Sequence, residues 1–217
     1  MFLDGIRYSV EMYGIAYSRL VEHLVDLSTS DHGPGNLPAV FLDAWSMVDS
    51  AHRLRRLAEN MPHLQKSAPA HQVLVRTHKP ATDLRHAIQH LDEKIHEVGK
   101  TDEVEPTWGS LSWEHLLSPT EGVACLVIAG SIRGYSQLPV AVAGRPFANP
   151  TDHIELTAFE HTVGLSAIWQ TISKWVTALE SAIPPLEDGQ TTSGADLLLQ
   201  VRFTFDGDRD SQDEPSE

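Results

Sequence analysis

Residues 83 to 97 read DLRHAIQHLDEKIHE and gather an arginine, three histidines and four acids within four helical turns. With Leu84, Ile88, Leu91 and Ile95 as a buried stripe and about 100° per residue, Arg85 and Asp92 fall on one flank. His86, His90, Glu93 and Glu97 fall on the opposite face, where they meet water or a second protein surface. An imidazole exchanges protons near neutral pH, and a guanidinium can hold a phosphate through two parallel hydrogen bonds. Arg85 with His86 and His90 is therefore a workable set for phosphodiester chemistry. The plainer alternative is a solvated helix face on which Arg85 pairs with a neighbouring acid.

Other chemistries fit less well. His86 and His90 stand four residues apart and can grip one metal ion from a helix, with Asp83, His52 or His71 completing the set. The glutamate of HExxH is missing and there is no cysteine pair, so no metal is assigned. The stretch 43 to 53 adds Asp43, Asp49, Ser50, His52 and Arg53 beside an apolar stripe, and Asp49 and His52, with Asp92, are the supporting candidates around Arg85. AGSIRG and AGRP lack the Lys-Ser/Thr of a phosphate loop, and no serine sits in GxSxG. No cofactor is called for. Trp108, Trp113, Trp169 and Trp175 read as core or interface anchors.

The elements that must carry these residues are mostly helices. Apolar residues from Ile6 to Leu27 recur at steps of three and four, which predicts an amphipathic helix over 5–27. Phe41, Ala44, Trp45, Val48, Ala51, Leu54 and Leu57 predict a second, ending near Asn60 and Pro62. A short helix is expected over 70–78, and another from Pro80 to Gly99. From Trp108 to Phe159 the runs VACLVIAG, LPVAVAG and DHIELTAF are short, β-branched and bounded by Gly, Pro and Asp, as in a sheet of three or four strands. Helix returns over 162–183, and LLLQVRFTF can add a last strand. The expected fold is mainly α with a β insertion: a helical bundle carrying a small antiparallel sheet before its last long helix. It forms one domain over 1–205, followed by an acidic tail, 206–217, that has no means of packing.

Composition sets outer limits. The 217 residues, 41% hydrophobic and 21% charged, suit one globular domain. The longest apolar run, Val123 to Ala129, is far below the roughly 18 residues of a membrane span. The opening MFLDGIRYSVEMYG does not read as a secretory signal, and the single Cys125 fits a reducing compartment, so a cytoplasmic location is expected. The net charge of −14 argues against a polyanionic partner, yet residues 52–100 hold nine Lys/Arg against five acids and seven of the twelve histidines. A local cationic patch thus lies inside an acidic chain.

Arg85-His86-Ala87-Ile88-Gln89-His90 resembles the RxxxxH motif of the HEPN superfamily, whose members are helical bundles with Arg, then commonly a polar residue, then His. His86 fits the polar place, and the position of the motif after two long amphipathic helices resembles the family too. The resemblance covers about residues 5–100 and, more loosely, 162–183; the β segment 108–159 departs from the minimal bundle. It implies a metal-independent endoribonuclease, acting in defence or as a toxin, in which the motifs of two subunits face each other across a homodimer. His90 would be the general base on a ribose 2′-hydroxyl, Arg85 the stabiliser of charge on the phosphate, and His86 an orienting group. Some members look inactive, so the alternative is a non-catalytic helical dimer serving as a protein- or nucleotide-binding module.

Overall fold

The computed structural model describes residues 2–30, 35–91, 93, 108–129, 142, 144–182, 196 and 200. The chain divides into two units, Met1–Ala182 and Ile183–Glu217. Apart from residues 196 and 200 the second unit is outside the described residues, as are the expected strand over 197–205 and the acidic tail.

Two long helices open the first unit, α1 (Phe2–Thr29) and α2 (Leu37–Asn60). Asn36 caps α2 by accepting from the Ala39 amide, and Pro38 sits in the first turn, where its missing N–H costs nothing. The pair is antiparallel, with Gly5 of α1 against Leu57 near the end of α2. Their stripes, including Tyr13, Leu20, Leu24, Met47 and Leu54, are fully buried. Two short helices follow, α3 (Pro69–Thr77) and α4 (Lys79–Gln89), joined by the single residue His78. His78 stays in the right-handed region at φ −88° and ψ −6°; its amide donates to the Leu74 carbonyl and its own carbonyl accepts from Thr82.

The sheet comprises β1 (Ser110–Ser118), β2 (Glu121–Ile128), β3 (Thr151–Ala158) and β4 (His161–Gly164), all antiparallel in the order β2-β1-β3-β4. It precedes the last described helix, α5 (Leu165–Ala182). The molecule is thus mainly helical with a small antiparallel sheet, which stands ahead of the last described helix. One core runs through both parts: Leu111, Trp113, Ile154 and Leu156 of the sheet join the helical stripes and Leu165, Ile168, Ile172 and Trp175 of α5. Tyr13 Oη donates to the Leu165 carbonyl at 2.8 Å, and Tyr13 and Tyr17 stack on Trp169. On the other side, Trp113 Nε1 donates to Ser28 Oγ at 2.8 Å.

Two boundaries differ from the sequence expectation, and one strand is not among the runs that mark the sheet. The helix expected to run to Gly99 ends at Gln89: His90 leaves the helical region at φ −109°, ψ 35°, and its amide turns back to Ala87 in a tightened last turn. Leu91 and Glu93 are again helical, and the stretch 94–107 is outside the described residues. The helix expected from Thr162 begins at Leu165, because Phe159 adopts a left-handed φ of 52° and turns β3 into the four-residue β4. Finally SLSWEHLLS forms β1, a strand whose three consecutive buried residues, Trp113, Glu114 and His115, mask its alternation. The cause is a bulge against β3, where the register shifts between Ser112 and Glu114. Most of LPVAVAG, expected as a strand, lies outside the described residues.

Candidate phosphodiester site

The site is built where α2 and α4 run side by side in opposite directions. On α2, Asp49, His52, Arg53 and Arg56 recur at helical spacing along the flank of the buried stripe. On α4, Ala81, Leu84 and Ala87 are buried, which turns Arg85 toward α2 and leaves His86 on the outside.

Asp49 is the hub. Arg85 Nε donates to its Oδ1 at 2.8 Å, and Arg53 Nη2 lies 2.6 Å from its Oδ2. Burial pushes the Asp49 carboxyl up, but the hydrogen bond from Arg85 and the charges of both arginines outweigh it and hold the group below the usual carboxylate range. Arg85 engages Asp49 through Nε, and among the described residues its Nη atoms have no hydrogen-bond partner. One turn further along the seam, His52 Nδ1 and Thr82 Oγ1 are 3.3 Å apart, and the His52 ring meets His86 edge-on at 5.7 Å. Burial, and then the charges of Arg85 and His86, push the His52 pKa down against the opposing pull of Asp49. At neutral pH His52 is therefore an uncharged imidazole beside a guanidinium.

Of the residues the sequence singles out, Asp49, His52, Arg85 and His86 come together. His90 does not join them: it stands at the end of α4, largely exposed, with Nδ1 3.6 Å from Glu93 Oε2. Asp92 lies outside the described residues. Of the partners proposed for a metal at His86 and His90, Asp83 pairs with Lys79 at 2.6 Å, His52 meets Thr82, and His71 lies on α3 in a groove lined by Arg55, Lys66 and Lys79. Among the described residues no group of three or more His, Cys, Asp or Glu side chains is placed to hold a metal ion.

Two features escaped the sequence reading. Thr82 holds His52 in place, and its signal was its i−3 relation to Arg85. On the sheet, Glu114 and His153 pair at 2.7 Å, His115 Nδ1 is 2.9 Å from Thr151 Oγ1, and Asp152 accepts from the amides of Ala148 and His153. These pairs depend on strand register and on His153 taking a left-handed φ of 54° at the bulge, which nothing in the linear sequence marks. Glu114 and His115 thus tie β1 to the start of β3, and Asp152 ties the segment before β3 to that strand.

Among the described residues no helix is long and apolar enough to cross a membrane. Comparison with known proteins finds no matching family model, no matching curated sequence and no matching solved structure.

Proposed function

We propose that the chain is a HEPN-like, metal-independent endoribonuclease that acts as a homodimer through Arg85, His86 and His90. The observation that carries the reading is the mounting of Arg85: Asp49 fixes it through Nε, the exposed His86 follows it on α4, and the exposed His90 stands at the end of the same helix. In the reaction, His90 takes the proton of a ribose 2′-hydroxyl and the 2′-oxygen attacks phosphorus. The bond from phosphorus to the 5′-oxygen breaks, and the histidine of the second subunit supplies that oxygen with its proton. The products are a 2′,3′-cyclic phosphate and a 5′-hydroxyl. Arg85 stabilises the charge that accumulates on the phosphate oxygens in between, and His86 orients the strand.

The test is cleavage of a labelled single-stranded RNA by wild type, Arg85→Ala and His90→Ala. His90 is largely exposed, so His90→Ala should shift stability by about 0.5 kcal/mol or less, whereas Arg85→Ala also removes the bond to Asp49 and should cost about 1 kcal/mol. The rate should fall by roughly 10²-fold or more in each variant. Cleavage is expected to persist in EDTA and to leave cyclic phosphate ends. The ion pair with Asp49 also favours a second reading, since it neutralises Arg85 within a chain of net charge −14. That reading is a non-catalytic dimer that binds a protein or nucleotide. It prevails if no RNA is cut and the two variants lose partner binding instead.

A further inference from the structure

Farther along α2 a second cationic feature lies between α2, α3 and the start of α4. It is a groove of about 320 Å³ whose walls include Arg55, Lys66, His71, Arg76 and Lys79 around the single acid Glu59. Two of these cations are committed: Arg55 Nη2 is 2.9 Å from Glu59 Oε1, and Lys79 Nζ is 2.6 Å from Asp83 Oδ2. Lys66 and Arg76 have no ion pair among the described residues, and both are exposed. His71 is only 5% exposed, and its Nδ1 has no hydrogen-bond partner among the described residues; the same holds for the buried Nε of Arg55. Buried polar atoms of this kind are costly to leave unpaired. A guanidinium nitrogen can only donate, and an imidazole nitrogen can be supplied as a donor, so what either lacks is an acceptor. With Glu59 set against Arg55 and Asp83 against Lys79, the charges of Lys66 and Arg76 remain over, so an acceptor drawn into the groove is an anion.

We propose that this groove is a phosphate subsite that holds the backbone of an RNA strand adjacent to the phosphodiester at Arg85. The identity of the strand rests on the function proposed above; the anion site rests on the groove itself. The two lie on one seam. Asp49 meets Arg85 and His52 meets Thr82, so α2 and α4 are antiparallel, and Arg55 and Lys79 come next in the same direction. Arg55 is three residues beyond His52 and Lys79 is seven before His86, or about 5–10 Å along the helices at ~1.5 Å per residue. That is a few nucleotides of a strand at a rise of ~3.4 Å each. An acidic peptide would also be attracted by the charge, but it would make no use of the guanidinium and imidazoles that stand farther along the same pair of helices.

The experiment measures binding apart from cleavage. Fluorescence anisotropy at low salt follows the full chain with a fluorescein-labelled single-stranded RNA whose 2′-O-methyl groups prevent cutting. Replacing both exposed cations, Lys66→Ala with Arg76→Ala, should weaken binding by at least about 10-fold and lower the salt slope by about 1.4, ~0.7 for each lost phosphate contact. Unchanged affinity in the double variant overturns the proposal. So does an absence of RNA binding by wild type, or displacement by a poly-glutamate peptide as effective as unlabelled RNA of equal charge. The two proposals fail separately. Binding that depends on Lys66 and Arg76 without any cleavage of unmodified RNA removes the nuclease and keeps the groove. Cleavage that needs Arg85 but ignores Lys66 and Arg76 does the reverse.

Discussion

His78 shows how far a single side chain can govern this domain. It is fully buried at the junction of α3 and α4, its Nδ1–H donates to the Leu74 carbonyl at 2.8 Å, and its Nε2 has no hydrogen-bond partner among the described residues. That bond fixes the tautomer and leaves Nε2 as the only place for another proton. Burial pushes its pKa from 6.5 down to about 4; the bond to Leu74 opposes this and the nearby Arg55 adds to it. The unfolded chain therefore binds a proton between about pH 6.5 and 4 that the folded chain refuses. Stability is complete above pH 6.5, falls as pH drops through this window, and levels off below about 4. The depressed pKa is equivalent to roughly 3 kcal/mol, and the lowered His52 and His71 act in the same direction. Thermal melts from pH 7 to 4 should show this loss, and His78→Gln should flatten the curve while lowering its plateau. A wild-type profile without a slope between pH 6.5 and 4 would refute the assignment.

At the scale of elements, the seam between α1 and α5 contains one buried hydroxyl beside its stacked rings. Tyr13→Phe keeps the ring stacked on Trp169 but removes the bond to the Leu165 carbonyl, which should cost about 1 kcal/mol in urea unfolding. An unchanged midpoint would mean that the stacked rings alone hold the seam. These helices were legible because their apolar steps of three and four persist for many turns, as in Tyr13, Tyr17, Leu20 and Leu24. The sheet was legible as a region but not strand by strand. The bulge at Trp113 destroys the alternation of β1, and β4 is too short to show any. The end of α4 carried no signal, since neither glycine nor proline stands at 89–91. For the site, the meeting of Asp49 and Arg85 could be anticipated because both lie on polar flanks of packed helices. The groove could not: Lys66 sits in a connection between helices, and the burial of His71 depends on how α3 packs.

For the whole molecule, the proposed chemistry requires two copies. The outer face of α4 presents His86, Gln89 and His90 to solvent beyond the Lys79–Asp83 ion pair of its first turns, and this is the surface expected to meet its copy. Light scattering at micromolar concentration should give twice 24.0 kDa. Each chain carries −14, so association should weaken as salt is lowered toward 0.01 M and the Debye length grows to about 30 Å. A species of 24.0 kDa at every salt concentration would leave no composite site.

The contact between Tyr13 and Leu165 spans 152 residues of chain, whereas Asp49 and Arg85 are separated by 36. Closing the longer loop has the greater entropic cost and comes later in folding. During synthesis, all of residues 49–86 are made before Leu165, so α1 and α2 can pair while the partner of α1 on its other flank does not yet exist. Until then the stacking surface of Tyr13 and Tyr17 has no Trp169 to cover it. The interval in which this nascent chain exposes aromatic surface is therefore set by the time needed to make the sheet.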